Sequence, residues 1–258
     1  MTRHIDLQGI ENFRDFGGYD TACGRGLKRG LLYRSANHAH ATDADLDTMK
    51  AMGVSAIIDL RRPMERGREP SRRWAGFAGQ VVENDHEGSY VDWAEALGAV
   101  DEIGAEWFRQ DSLDFYAKAP FEVRHVDLFT RYFKALAETD GAIVVHCAAG
   151  KDRTGMICAL THHIAGVHED DILHDYLLTN DETRTRKRMV TFGAFLKDLT
   201  GREAPEDALR TALCVEPDYL ETAMNRMKAE HGTLDGYLAN VLGVDGSLRD
   251  QIKAKILA

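Results

Sequence analysis

The chain has no apolar run near the roughly 20 residues that a membrane-crossing helix needs. Its opening, MTRHIDLQGIENFRDFGGYD, lacks the apolar core of a secretory leader. These absences predict a soluble cytoplasmic protein with no stable membrane insertion; export by a leaderless route stays open. Cysteine is scarce: Cys23, Cys147, Cys158 and Cys214 are the four, and none forms a C-x-x-C pair. That excludes a disulfide scaffold and a zinc-finger pattern, so each cysteine is judged by its own neighbours. Positive charge is in deficit, with 32 Lys and Arg against 42 Asp and Glu, a formal charge of −10. Such an acidic balance argues against a general nucleic-acid binder. Internal repeats and low-complexity linkers are also missing.

What remains is ordinary for a globular chain: 258 residues, 44% apolar and 29% charged, suited to one α/β domain over residues 1–258. Short Val- and Ile-rich runs bounded by Gly or polar residues read as strands at Leu31–Tyr33, Val54–Leu60, Gln80–Glu83 and Ala142–His146. Helical stretches lie between them. Thr42 with Asp45 three residues on resembles a capping box, and Val126, Phe129, Phe133 and Leu136 share one helical face. The alternation predicts an α/β fold, a mostly parallel central sheet of four to five strands flanked by helices. Residues from about 88 to 120 read as a helical insertion able to cover a site. Residues from about 180 to 258 read as a helical lid and C-terminal region.

Chemistry concentrates in VVHCAAGKDRTG, Val144 to Gly155. The apolar strand runs into Cys147, and after the loop Ile157, Leu160 and Ile164 mark a helix face. The loop therefore joins a strand's C-terminal end to a helix N-terminus, where open α/β sheets bind ligands. Free N–H groups and the helix dipole favour an anion there. Ala148, Ala149 and Gly150 are small enough for successive amides to converge as a nest. Arg153 offers a planar fork for two phosphate oxygens, and the same positive field stabilises a thiolate on Cys147. Attack of that sulfur on phosphorus gives a thiophosphate that water then hydrolyses. A nucleotide-binding G-x-x-x-x-G-K-[ST] loop does not fit: Val145 stands where its first glycine belongs, and Asp152 follows Lys151.

HCAAGKDRT, an H-C-x5-R-T pattern, resembles the signature of the cysteine-dependent protein-tyrosine phosphatase superfamily. With ENFRDFGGY, YRSANHAHATDADL, IIDLRRPME and DYLLTN, the chain is similar to the bacterial PtpB-type enzymes from about residue 9 to its end. That resemblance implies a phosphotyrosine-phosphatase-like fold and activity toward phosphotyrosine, phosphoserine/threonine and phosphoinositides. It also implies Cys147 as nucleophile, Arg153 as phosphate clamp and Thr154 as the hydroxyl that helps the thiolate leave. Lys151 resembles the loop lysine of phosphoinositide 3-phosphatases. The partners implied are a phosphorylated protein or a phosphoinositide; the oligomeric state stays open.

Expulsion of an alkoxide or phenoxide gains from a proton donor, typically about 10²–10⁴ in rate. Conventional superfamily members carry an aspartate on a separate movable loop. In PtpB-type enzymes the loop aspartate is implicated, which favours Asp152 and keeps Asp85 in reserve, with Asp92 a weaker alternative. The plain reading of Asp152 is a first-turn carboxylate that complements the helix dipole. His146 is expected to orient the loop rather than act as a base. His162, His163 and His168 lack the spacing of a metal site, so no metal and no cofactor are expected. Asp59, Arg61 and Glu65 follow a strand end and suit the rim. The basic segment Arg61–Arg73 and the run Thr183–Arg188 read equally as solvated surface or as a field attracting phosphorylated substrates, the run also as part of a mobile lid helix. Two rivals are a phosphoinositide phosphatase with little protein activity and a phosphate-binding module without catalysis; the latter should lack the cysteine or the arginine, and both are present.

Overall fold

The computed structural model describes residues 3–88 and 93–258, so Asp92 lies outside the described residues. Its strands are β1 (Arg14–Asp15), β2 (Leu32–Ser35), β3 (Val54–Asp59), β4 (Gln80–Val82) and β5 (Ala142–His146). They form one five-stranded sheet in the order β1-β2-β5-β3-β4. Four strands run parallel, and β1 pairs antiparallel with β2. The four runs legible in the sequence are the parallel strands. β2 extends past its apolar run to Ser35 because that residue pairs with His146 of β5. β1 has no apolar signal; its arginine and aspartate are both buried.

The helices are α1 (Asp43–Ala51), α2 (Pro63–Arg68), α3 (Trp93–Gly98), α4 (Ala105–Lys118), α5 (Val123–Glu138), α6 (Asp152–Ala165) and α7 (Glu169–Leu177). After them come α8 (Glu182–Thr200), α9 (Glu206–Leu213), α10 (Pro217–His231), α11 (Leu234–Asn240) and α12 (Gly246–Ile256). At the start of α1, the Thr42 hydroxyl accepts the Asp45 N–H and Asp45 accepts the Thr42 N–H, closing a capping box.

Strand alternation decides which face the reactive loop leaves from. In β5, Ala142 and Val144 pack with Leu46 and Met49 of α1 on one side. Ile143, Val145 and the following Cys147 pack with α5 and α6 on the other. Burial on both faces explains why β5 reads as a continuous apolar run. A separate apolar cluster joins Leu97 of α3, Phe108 of α4, Leu196 of α8 and Ala208 of α9. Helices far apart in sequence thus share a small core of their own, beside the C-terminal ends of the parallel strands.

Candidate active site

The loop from Cys147 to Lys151 leaves β5 and enters α6 at Asp152. Its carbonyls are all claimed from behind. Asn37 donates to Ala148 O through its backbone N (3.1 Å) and its side chain (3.3 Å). Asn12 Nδ2 donates to Ala149 O at 3.2 Å and Gly150 O at 3.0 Å. Arg34 Nη2 donates to Gly150 O at 3.0 Å and Lys151 O at 3.5 Å. With the carbonyls held there, the peptide planes turn their N–H groups the other way, toward the cleft, as an anion nest requires.

Gly150 makes that turn possible. Its φ is +65°, and a Cβ there would lie 2.3 Å from Ser35 O and 2.4 Å from Ser35 C. Both obstacles are backbone, so no rotamer change relieves them. Gly150→Ala is expected to lower stability by about 2–4 kcal/mol and to weaken phosphate binding. Urea denaturation and phosphate titration check this; a fully stable variant with native phosphate affinity would refute the packing argument.

Behind the loop lies a buried ionic knot that sequence reasoning did not assign. Arg14 and Arg34 converge on Asp175 of α7, with Arg34 Nη1 2.8 Å from Asp175 Oδ2 and Arg14 Nε 3.7 Å from Oδ1. Arg14 also donates to Asn12 Oδ1 and to Asp175 O. Burial works against the Asp175 charge, but the two guanidiniums outweigh it and hold its pKa below the usual carboxylate range. The only signal of this knot was the segments ENFRDFGGY, YRSANHAH and DYLLTN, which supply these residues.

On the cleft side, Arg153 Nη1 and Nη2 form a two-pronged pair with Glu65 at 2.6 and 2.8 Å, and Nη1 also donates to Leu60 O. Burial disfavours the Arg153 charge, yet Glu65, Cys147 and Asp152 raise its pKa above the ordinary value. Glu65 answers in kind: burial pushes its pKa up, and Arg153 pulls it down to about 2. Glu65 is itself fixed by the Arg62 N–H at 2.7 Å. The guanidinium plane is thus set before any substrate arrives.

Cys147 is buried at the cleft floor, only 2% exposed. Thr154 Oγ1 is buried and has no hydrogen-bond partner among the described residues, so its hydroxyl remains available to the sulfur or a bound anion. The fully buried His146 ring stacks on His38 at 4.2 Å and lies 3.7 Å from Asp59. Burial lowers its pKa against the pull of Asp59. Its Nδ1 is 3.3 Å from Cys147 O. Lys151 Nζ donates to Ala212 O at 2.7 Å and Cys214 O at 3.2 Å, the carbonyls ending α9, and lies 3.7 Å from Asp152. Asp152 Oδ1 accepts the Tyr116 hydroxyl at 3.0 Å, and Tyr116 is in turn 2.7 Å from the Tyr176 hydroxyl.

Asp85 is placed differently. Its side chain is 91% exposed, pairs with Arg66 at 2.5 Å, and is not among the residues lining the cleft. Most of the basic segment is also engaged: Arg61 with Asp59, Arg66 with Asp85, Arg72 with Asp43 and Arg73 with Glu83. Arg62 and Arg68 line the cleft. From the run Thr183–Arg188, now on α8, Arg188 lines it too. The three histidines have separate partners: His162 binds Phe16 O, His163 binds Asp235, and His168 caps α7. Of the other cysteines, Cys158 is buried on α6, and burial pushes its thiol up to about 12.

The cleft encloses about 670 Å³. The loop from Cys147 to Arg153 forms its floor, and Trp93, Phe108, Phe115, Phe192 and Phe195 supply aromatic walls. Asp111 of α4 also faces into it, a residue that sequence reading passed over because nothing near it has a motif. Chemically the arrangement can bind a dianionic tetrahedral group on a nest and a guanidinium, with a buried sulfur beneath and carboxylates to the side.

Comparison with known proteins gives a consistent picture. The profile of a family described as the tyrosine phosphatase family matches residues 5–258. A protein of Cupriavidus necator, provisionally named a tyrosine-protein phosphatase, is 31% identical over 247 residues, covering 94% of this chain and 86% of the relative. The triple specificity protein phosphatase PtpB of Mycobacterium tuberculosis is 26% identical over 285 residues, covering 98% of each. A crystal structure of TpbA from P. aeruginosa covers 76% of this chain and 96% of that one, at 20% identity and a TM-score of 0.33, too slight a likeness to carry an argument.

Proposed function

We propose that this chain, which belongs to the tyrosine phosphatase family and is a phosphatase, acts first on protein phosphotyrosine through a cysteinyl-phosphate on Cys147. The observation that carries this reading is the cradle itself: loop carbonyls drawn back by Asn12, Arg34 and Asn37, and Arg153 locked by Glu65 above a buried sulfur. Cys147 attacks phosphorus as the thiolate. The nest of Ala148, Ala149, Gly150 and Lys151 and the Arg153 fork bind the equatorial oxygens, where charge is greatest in the transition state. Thr154 offers its hydroxyl to the departing sulfur, His146 fixes the loop's entry, and Asp152 is the loop's own proton-transfer group. Asp85, exposed and ion-paired, is held in reserve.

The aromatic walls favour a phosphorylated ring over a small alkyl phosphate, since a tyrosyl side chain buries apolar surface there. A second reading has its own support: Arg62, Arg68, Lys118 and Arg188 also line the cleft and suit a multiply charged head group. We read residues 1–258 as one catalytic domain, with the insertion near 88–120 and the helices from about 180 onward as its cover. A cytoplasmic setting is part of the same reading; among the described residues no helix is long and apolar enough to cross a membrane.

Acid quench of a single turnover with a phosphotyrosyl peptide tests the chemistry. Peptide mapping should find one phosphoryl group on Cys147, and EDTA should leave the rate unchanged. A phosphoryl group on another residue, or none during turnover, would overturn the mechanism. Comparing kcat/KM for phosphotyrosyl peptides and soluble phosphoinositides orders the two substrate readings.

A further inference from the structure

Two protons must be handled in a cysteinyl-phosphate cycle. One goes to the leaving oxygen in the first step, and one comes from water in the second. Asp152 is built as an acceptor: it receives the Tyr116 hydroxyl at 3.0 Å, lies 3.7 Å from the Lys151 ammonium and occupies the first turn of α6. A second carboxyl in the same cleft has a different setting. Asp111 lies on the inner side of α4, half-buried among the aromatic walls that include Trp93.

We propose that Asp111 is the acid that protonates the leaving group, and that Asp152 takes the proton of the attacking water. This rests on the cysteinyl-phosphate reading above. In the first step the Cys147 sulfur forms a bond to phosphorus and the phosphorus–oxygen ester bond breaks. The oxygen takes the electron pair and the Asp111 proton and departs as the alcohol or phenol. In the second step water forms a bond to phosphorus and gives a proton to Asp152, while the phosphorus–sulfur bond breaks and its electron pair returns to Cys147. Asp152 then releases its proton to solvent, and Asp111 regains one from solvent.

Electrostatics supports the division. Burial is the main cause raising the Asp111 pKa, and the charges of Asp114 and Asp152 add to it, against the opposing pull of Trp93 and Lys151. Across the cleft the charged residue of α8 is Arg188. Arg210 of α9 is paired with Glu182, while Glu216 and Asp218, at the start of α10, are paired with Arg109. An acid on a helix wall, rather than on a movable loop, also accounts for the absence of Asp85 from the cleft.

The test is the dependence of kcat/KM on leaving-group pKa across a series of aryl and alkyl phosphates. An acid matters most for poor leaving groups. Asp111→Asn should therefore lower kcat/KM by about 10²-fold or more for phosphotyrosine and alkyl phosphates, and by a much smaller factor for p-nitrophenyl phosphate. Asp111→Glu, which keeps an acid, should restore a shallow dependence. Asp152→Asn should instead bring kcat down to one common low value for all substrates while leaving kcat/KM nearly unchanged, because hydrolysis of the thiophosphate is slowed and it accumulates on Cys147. A uniform loss in Asp111→Asn, no loss, or a steep slope in Asp152→Asn instead would overturn the assignment. If the wild-type chain forms no cysteinyl-phosphate at all, the underlying mechanism fails; if it does and the Asp111→Asn slope is flat, only the role of Asp111 fails.

Discussion

Cys147→Ser should lower turnover of p-nitrophenyl phosphate by about 10⁴- to 10⁶-fold, the range expected when a covalent nucleophile is removed. The change replaces one atom. A serine hydroxyl does not ionise at neutral pH, and among the described residues the histidine beside it, His146, is packed between His38 and Asp59 behind the loop rather than placed to activate it. The anion site should survive, because the nest, Gly150 and the Arg153–Glu65 pair do not depend on the sulfur. Phosphate or vanadate titration should therefore give a dissociation constant near that of the parent while turnover is lost. Activity retained within about tenfold would mean that another group attacks phosphorus.

The largest effect on folding is expected at Asp175. It is the only carboxylate paired with either Arg14 or Arg34 among the described residues, and both guanidiniums are 0% exposed. Removing it strands two buried positive charges side by side. Breaking a buried pair in this way costs about 3–5 kcal/mol, far more than the pair contributes over a well-packed apolar replacement. Asp175→Ala should thus show that loss in urea denaturation. Asp170→Ala, five residues earlier on the same helix and 92% exposed, should stay within about 0.5 kcal/mol of the parent. A loss below about 1 kcal/mol for Asp175→Ala would show that the arginines find other partners. Activity should fall with stability, since Arg34 also holds the carbonyls of Gly150 and Lys151.

Residues acting through local spacing were legible in the sequence. The C-x5-R interval between a Val-rich strand and a helix identifies the loop, because strand, turn and helix cap leave one geometry for those types. β3 and β5 were legible because burial on both faces makes them nearly continuous apolar runs. β1 was not, since it enters the sheet through strand pairing, the Arg14–Asp175 ion pair and backbone N–H groups donated to Asp15 rather than through an apolar pattern. The supports of the loop come from residues 12, 34, 37 and 175, brought together only by the fold. Asp111 was invisible for a further reason: in sequence it is one of several acidic residues on an amphipathic helix, and only packing against Trp93 and the cleft distinguishes it.

Lys151 is anchored on the far side of the loop, at the end of a helix remote in sequence. Its ammonium closes the C-terminal end of α9, replacing the hydrogen bonds that the last turn of a helix lacks. Those two carbonyls take two of the ammonium's three protons, which leaves one for an arriving dianion. Lys151 thereby ties the loop to the end of α9, and through the shared apolar cluster to α8, α3 and α4 as well. The loop and its helical cover therefore share one anchor: Lys151→Met should leave α8 and α9 easier to cleave by protease, and cleavage at the native rate would show that other contacts seat them.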